Sequence, residues 1–370
     1  MTILSSYNLF VCIHTNSMKQ TMKVLSCILL GVALCFPLKL QALETSAESA
    51  VLYSAQTQQF IYQKNAHQKR GCASTTKILT AWVVLQNMEP TQTVTIPKEA
   101  CGIEGSSLYL TEGEILTVRD LLYALMLRSA NDSAVALALA CAGSVEAFAE
   151  KMNEAAEQMG AHDSHFENPH GLDGENHYTT AHDLALIASK ALEDPLLCEI
   201  VTSKSYTLDA PEGKRVLINH NKLLWQYEGA CGIKTGYTKK CGRCLVGAAE
   251  KDGIRLISVT LNAPNDWKDH KAMFDFGFNA LECRSLAEPG QITFQVPILS
   301  KKKDTVNLVN KEAVYAVLPK DADVPQMNIE LNRPIAAPIK KGEVLGTAYF
   351  TLDGKIIASV SLISQEGVNK

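Results

Sequence analysis

Three short polar motifs, widely separated along the chain, constrain its fold more than any other feature. They are Ser-x-x-Lys at Ser74 and Lys77, Ser-x-Asn at Ser129 and Asn131, and Lys-Thr-Gly at 234–236. Each motif alone is common in proteins of many kinds. All three in this order are not, and they predict a fold that gathers three remote segments around one cleft.

The sequence around each motif predicts a different local structure. Ser74 directly precedes apolar residues at helical spacing over 78–88. Ser129 lies in a polar turn between two helical patterns, and Lys234 lies in a strand-like run over 232–237. The three motifs are therefore expected at a helix start, at a turn between helices and on a strand.

The order of the predicted elements indicates an α+β fold. An early hairpin is followed by several helices, then by a strong hairpin with its turn at 251–253, and by a closing helix. The first and last strands are expected to pair in one antiparallel sheet with helices against it. Capping boxes are predicted at Thr117 and Thr180. Predicted strands cover 49–52, 59–63, 94–96, 232–237, 244–250 and 254–262, and predicted helices cover 78–88, 121–127, 133–142, 144–160, 184–192 and 269–278.

The length of 370 residues favours two domains, and Pro289-Gly290 marks a change of character. Beyond it the chain alternates apolar and polar residues between frequent Pro and Gly, which predicts a small all-β domain. We assign 43–285 to a catalytic domain and 286–370 to this β-rich domain. Its predicted strands cover 292–297, 306–309, 313–318, 327–331, 344–352 and 356–363.

The amino-terminal residues 1–42 have the pattern of a secretory signal peptide with an upstream extension. Lys19 and Lys23 precede an apolar run over 24–36, and Ala42 offers a small residue for cleavage. The run is short for a membrane span, so export to the cell envelope is expected. The polar residues 361–370 give no sign of an amphipathic membrane-binding helix, and membrane contact is left open.

Charge and ligand spacing favour neither nucleic acid nor metal. The net charge is −4 and no basic stripe extends beyond Lys301-Lys302-Lys303, so nucleic-acid binding is not expected. Eight of the 11 cysteines follow residue 42 and are scattered, which favours free thiols over a disulfide scaffold. Cys241 and Cys244 lack a second pair, and the histidines between 162 and 182 match no metal spacing, so no metal site is predicted.

The residue types in the motifs fit acyl-transfer chemistry. Ser74 and Lys77 lie on one helical face, and a lysine with a lowered pKa can take the proton of a serine hydroxyl. The Ser74 amide and a second amide from a facing strand could hold an oxyanion. Ser129 could relay a proton to a leaving amine, while Asn131 could bind a substrate amide and hold Lys77. Singly, each motif is better explained as a cap, a turn or an edge strand.

The third motif fits recognition of a carboxylate. Lys234 would supply the charge and Thr235 a directed hydrogen bond. Gly236 would remove side-chain bulk, so that a ligand backbone could lie along the strand.

On these motifs the chain resembles the D-alanyl-D-alanine carboxypeptidases, which are low-molecular-mass penicillin-binding proteins of serine peptidase family S11. The resemblance extends to the segments 72–81, 125–134, 166–172 and 232–238. It implies a β-lactamase/transpeptidase-like fold with Ser74 as nucleophile, Lys77 as proton acceptor, Ser129 in the acid–base relay and Lys234 in substrate binding. It also implies a stem-peptide substrate ending in D-Ala-D-Ala, β-lactams as covalent inhibitors and no cofactor.

Two other functions share part of this pattern. A class A β-lactamase adds a glutamate motif between the second and third motifs, whereas the only Glu-Leu-Asn here is Glu330-Leu331-Asn332, beyond Lys234. Negligible turnover of a chromogenic penicillin is therefore expected. A non-catalytic module that senses wall peptides has no need of both Ser74 and Lys77. No Gly-x-Ser-x-Gly supports a Ser-His-Asp triad.

Overall fold

The computed structural model describes residues 43–210, 213–300, 304–332 and 334–369. The predicted signal peptide and its upstream extension, 1–42, lie outside the described residues.

The described elements follow the predicted order of strands, helices, strands and helix. The helices are α1 Lys77–Asn87, α2 Val118–Tyr123, α3 Asn131–Ala142, α4 Val145–Gln158, α5 Ala181–Ala191, α6 Pro195–Thr202, α7 Leu223–Gln226 and α8 Asp266–Ala280. The strands are β1 Ser49–Ser54, β2 Gln59–Lys64, β3 Thr93–Thr95, β4 Ile115–Thr117, β5 Ser205–Ala210, β6 Gly213–Ile218, β7 Ala230–Thr238, β8 Gly242–Lys251, β9 Ile254–Leu261, β10 Leu281–Ala287, β11 Thr293–Pro297, β12 Thr305–Asn310, β13 Val314–Pro319, β14 Gln326–Leu331, β15 Val344–Leu352 and β16 Lys355–Ser364.

The main sheet pairs strands from both ends of residues 43–285. Its five antiparallel strands follow the order β2-β1-β9-β8-β7, so β1 pairs with the late strand β9. Val51 is registered with Val259, and Lys234 with Val246. The predicted pairing of first and last strands is confirmed, and β7, which carries the third motif, is an edge strand.

The two faces of this sheet support separate apolar cores because side chains alternate across a strand. Val51 and Val246 face the large helical core with α1, α3, α4 and α5. Their neighbours Leu52 and Leu245 face a smaller core that contains Phe274 of α8. The sheet is thus a middle layer between the helices that carry the first two motifs and the closing helix.

Of the two predicted capping boxes, one is complete and the other has only the bond to the N-cap side chain. Thr117 forms a full capping box with Asp120. The Thr180 side chain accepts a bond from the Asp183 amide. The Asp183 carboxylate does not return a bond to Thr180 and instead accepts bonds from the Asp163 amide and the Ser164 hydroxyl. That carboxylate therefore anchors a loop to α5.

The carboxyl-terminal part is all β, as predicted. Five antiparallel strands in the order β11-β12-β16-β15-β14 enclose their own apolar core, which includes Leu308, Ala348 and Leu362. The predicted boundary at 285/286 falls within β10, which pairs with β13. The α+β prediction with a carboxyl-terminal all-β part is confirmed.

Among the described residues no single helix is long and apolar enough to cross a membrane, and one pair bent by 85°, α3 with α4, passes that test only by length and composition.

Candidate active site

The Ser74 segment is a strained turn that runs directly into α1. Ala73–Thr76 form a 3-10 turn, and Lys77 begins the helix. Buried Ala73 has a φ of 49°, in the region that L-residues rarely occupy. The Thr76 hydroxyl donates to the Ala73 carbonyl at 2.9 Å and lies 2.9 Å from His177 Nε2. These bonds hold the backbone that presents Ser74.

Lys77 is fully buried against the hydroxyl of Ser74. Its Nζ donates to Ser74 Oγ at 3.0 Å, to Asn131 Oδ1 at 2.7 Å and to the His170 carbonyl at 2.5 Å. Burial first, and then the charge of Lys234, hold the pKa of Lys77 well below its usual value. A neutral amine beside a serine hydroxyl can accept its proton.

The second motif lies where a helix changes its winding. A π-helical turn at Ala124–Arg128 ends at buried Ser129, whose φ is 61°. Asn131 then begins α3. Its Oδ1 accepts the bond from Lys77, and its Nδ2 donates to the Glu104 carbonyl at 2.5 Å. Asn131 therefore holds the amine of Lys77 in place.

Asp132 fixes the loop that faces this motif. Its buried carboxylate accepts bonds from the amides of Leu108 and Leu110 and from the hydroxyl of Ser107, at 2.6–3.1 Å. The Asn131 amide donates to the Ser106 carbonyl at 2.7 Å. The 104–110 loop and the start of α3 are thus tied together beside the site.

In the third motif, successive residues point in opposite directions. Lys234 is only 1% exposed, and its Nζ donates to the Thr235 carbonyl at 3.0 Å. Burial lowers the pKa of Lys234 to about 7. Thr235 and exposed Tyr237 lie on the other face of β7. Because β7 is an edge strand, its outer edge is open to the cleft that Thr235, Gly236 and Tyr237 line.

The structure shows a second physical reason why position 236 is a glycine, besides the predicted space for a ligand. A Cβ at this position would lie 3.0 Å from the Cys72 carbonyl and 3.1 Å from the amides of Ser74 and Thr75. The missing side chain therefore makes room for the Ser74 segment, which packs against β7, rather than for a ligand alone.

A cleft of about 340 Å³ brings the three motifs together. Ser74, Ser129, Thr235 and Gly236 line it directly, whereas Lys77, Asn131 and Lys234 are buried behind the surface. The other lining residues are Ser106, His220, Lys222, Tyr237, Arg243, Asp266 and Trp267.

The segment around His170 contacts the site, which was not predicted from the sequence. The His170 carbonyl accepts from Lys77, and burial lowers the pKa of the His170 ring to about 3. Asn168 Oδ1 accepts from the amides of His170 and Gly171 and so holds this turn. A backbone carbonyl carries no side-chain signal in a sequence, so this contact could not be found there.

Arg243 was also missed, although a signal existed. It is registered with Tyr237 across the β7–β8 hairpin, which a simple pairing of the predicted strands would have placed beside the motif. Its guanidinium bonds Asp266 through two nitrogens at 3.0 and 3.1 Å and lies 5.9 Å from the Trp267 ring centre. The bonds to Asp266 hold the Arg243 guanidinium at the cleft.

Replacing Gly171 should destabilise the packing of its turn against the Ser74 segment. Its φ is +85°, and an added Cβ would lie 2.0 Å from the Ala73 carbonyl oxygen. We expect Gly171→Ala to lower the free energy of unfolding by about 3 kcal/mol or more, and to slow acylation. Urea unfolding followed by circular dichroism measures the first effect.

Gly102→Ala is the matched control for that variant. Gly102 has a similar φ of +72° but nothing within 4 Å of its Cβ position. The left-handed conformation alone should cost about 1 kcal/mol. Equal losses in the two variants would show that the contact with Ala73 contributes nothing.

Histidines near the site do not form a metal centre in the described ranges. No group of three or more His, Cys, Asp or Glu side chains there is placed to hold a metal ion. Burial lowers the pKa of His177 to about 4, so this ring is a neutral hydrogen-bond partner of Thr76.

A serine hydroxyl bonded to a buried lysine amine, beside an edge strand with a second buried lysine, places the site in the serine–lysine class. The chain matches the model of the D-alanyl-D-alanine carboxypeptidase family over residues 38–265. Residues 282–370 match the model of the penicillin-binding protein 5 C-terminal domain. The chain therefore belongs to the D-alanyl-D-alanine carboxypeptidase family.

Individual relatives agree with this assignment over most of their length. D-alanyl-D-alanine carboxypeptidase DacF of Bacillus subtilis is 32% identical over 88% of this chain and 86% of its own. DacA of Escherichia coli is 32% identical over 86% and 83%. Penicillin-binding protein 5 of Haemophilus influenzae superposes with a TM-score of 0.67 at 30% identity, covering 88% of this chain and 98% of that one. The Streptomyces K15 DD-transpeptidase has a TM-score of 0.61 at 34% identity, covering 64% and 98%.

Proposed function

We propose that this protein is a serine-type D-Ala-D-Ala carboxypeptidase that removes the terminal D-alanine from peptidoglycan stem peptides. The observation that carries the proposal is the bond between Lys77 Nζ and Ser74 Oγ at 3.0 Å. The bonding partners of Lys77 Nζ are the Ser74 hydroxyl and the carbonyl oxygens of Asn131 and His170. A neutral amine there can donate its two hydrogens to the carbonyls and accept the proton of Ser74. The names of the relatives support the substrate.

The reaction follows from these positions. Ser74 Oγ attacks the carbonyl carbon between the two D-alanines while Lys77 takes its proton. The developing oxyanion would accept bonds from the Ser74 amide and an amide of β7. Ser129, which lines the same cleft, passes the proton to the leaving amine of D-alanine. Water then hydrolyses the ester on Ser74 and restores the enzyme.

The edge of β7 is suited to hold the end of the substrate. An extended peptide can add to an open strand edge through main-chain hydrogen bonds. Its carboxylate would lie among the charge of Lys234, the hydroxyl of Thr235 and the guanidinium of Arg243. Asp266 already neutralises part of Arg243, so we assign the larger share of the charge to Lys234.

The pH profile should report both lysines. Lys77 must be neutral, so kcat/KM rises with pH through its lowered pKa. Lys234 must be cationic, and its charge is lost as pH rises through about 7. A bound carboxylate raises the pKa of Lys234, so the alkaline fall should appear in kcat/KM more than in kcat. Rates of D-alanine release between pH 5 and 10 measure this.

Lys234→Arg tests the assignment of the alkaline limb. A guanidinium stays charged throughout this range, so the fall near neutrality should disappear even if the absolute rate is lower. A fall that persists in this variant would assign it to another group.

Two further features bear on the competing functions. Glu330 lies exposed on the edge strand β14, within the carboxyl-terminal sheet and not among the cleft residues. The carboxylate that does line the cleft, Asp266, is paired with Arg243. We therefore propose that β-lactams acylate Ser74 and are released slowly.

A synthetic peptide separates the functions directly. We expect the purified protein to release free D-alanine from diacetyl-L-Lys-D-Ala-D-Ala and to capture a fluorescent penicillin covalently. Capture without any release would favour a sensor. Rapid turnover of a chromogenic penicillin would favour a β-lactamase.

We also propose a location and a division of the chain. Export would place the site outside the cytoplasm, where peptidoglycan is found, and rests on the sequence pattern of 1–42. Residues 43–285 would carry the reaction, and 286–370 would form a β-rich domain joined to it through β10.

A further inference from the structure

Two cysteines outside the cleft lie on neighbouring elements. Cys198 is on α6, and Cys231 is near the start of β7, three residues before Lys234. Both are partly buried against the large helical core, and both are free thiols. Nothing in the proposed reaction uses either of them.

One hydroxyl bridges the backbones of the two cysteines. Thr202 Oγ1 donates to the Cys198 carbonyl at 2.7 Å and lies 3.3 Å from the Cys231 carbonyl. The two carbonyl oxygens are therefore about 6 Å apart at most, so the backbones of Cys198 and Cys231 approach each other closely. A Cβ on Gly232 would lie 2.9 Å from Val201 Cγ2, so α6 and β7 are in close contact here.

The electrostatics of the region agree with this close approach of the two backbones. Burial raises the pKa of Cys231 to about 12, and the negative charge of a Cys198 thiolate adds to the rise. The pKa of Arg255 is raised overall. Burial lowers it, but the bond to Glu250 and the negative charges of Glu250, Cys198 and Cys231 raise it by more.

The strand has local freedom at Cys231. The pairing of β7 with β8 shifts register between Ala230 and Gly232, so Cys231 is the extra residue of a bulge. Its backbone is not committed to the β8 ladder, and a small movement there leaves the pairing of Lys234 intact. Cys198 and Cys231 are partly exposed, whereas Cys72, Cys241 and Cys244 are at most 7% exposed.

We propose that Cys198 and Cys231 form a disulfide that joins α6 to the strand carrying the third motif. A small-molecule disulfide such as oxidised glutathione is the oxidant. One protein thiolate attacks it and releases a first glutathione thiolate, which takes up the proton of that cysteine. The second protein thiolate attacks the mixed disulfide and releases a second glutathione, again protonated. Two thiols are oxidised and one glutathione disulfide is reduced.

Peptide mapping of the full chain tests the bond. After oxidation with glutathione disulfide and alkylation, trypsin should yield fragment 191–204 linked to fragment 223–234, and reduction should separate them. The cross-link closes a loop of roughly 30 residues and should raise the melting temperature by about 5–10 °C. We expect covalent penicillin capture to persist in the oxidised protein, so this outcome is independent of the proposed function.

Cys198→Ser and Cys231→Ser should each lose the linked fragment and the rise in melting temperature. Cys283→Ser, which removes an exposed thiol on β10, is the matched control and should keep both. The proposal is overturned if oxidised wild type contains no 198–231 link, or if Cys198→Ser gains as much thermal stability on oxidation as wild type.

Discussion

Ser74→Ala should abolish covalent capture of penicillin and lower kcat/KM for D-alanine release by about 10⁴-fold or more. The hydroxyl is the group that would form the ester, and it is bonded to the buried Lys77 amine, whose other two bonds are to carbonyl oxygens. The backbone of the 3-10 turn is held by the Thr75 and Thr76 side chains, so the variant should fold. Intact mass after exposure to ampicillin and the peptide assay measure the two losses.

Ser361→Ala is the matched control because it removes an exposed hydroxyl on β16, in the carboxyl-terminal sheet. It should keep full capture and full release. Persistent labelling of Ser74→Ala, mapped to a fragment that lacks residue 74, would assign the nucleophile to another side chain.

Lys77→Met should slow acylation by about 10²–10⁴-fold and flatten its dependence on pH. Methionine fills most of the lysine volume in a fully buried site but cannot accept the Ser74 proton. The Asn131 amide oxygen and the His170 carbonyl lose a donor, so some loss of stability is expected as well. Stopped-flow acylation by a chromogenic cephalosporin across pH 6–9 separates the kinetic effect from the structural one.

Lys77→Arg distinguishes a base from a mere cation at this position. Arginine keeps the charge but does not lose its proton in this range, so it should not restore the rate. Lys190→Met, on the exposed end of α5, is the control for loss of a surface lysine and should react normally. Full activity in Lys77→Arg would exclude the lysine as proton acceptor.

Most elements near the motifs could be predicted because local pattern and tertiary packing agree there. The helix predicted over 78–88 is observed at Lys77–Asn87, and the hairpin around 251–253 is observed between β8 and β9. Helix α6 and the hairpin of β5 with β6 were not predicted. The short polar strands of that hairpin have few buried positions, so they lack the periodic apolar signal on which such predictions depend.

The sequence by itself determined which chemical groups this protein brings to its cleft, because the hydroxyls, the amines and the glycine are properties of residue type and order. It also determined the α+β class, since hydrophobic periodicity reflects which face of each element is buried.

Only the tertiary structure decided what those groups do to one another. The lowered pKa of Lys77 depends on burial and on a second lysine remote in the chain, and its bond to the His170 carbonyl depends on a turn that packs against Ala73. The contact of Gly236 with the Ser74 segment and the position of Arg243 at the cleft likewise arise from β7 lying at the sheet edge. Desolvation and electrostatic interaction depend on distance in space, which residue order alone does not specify.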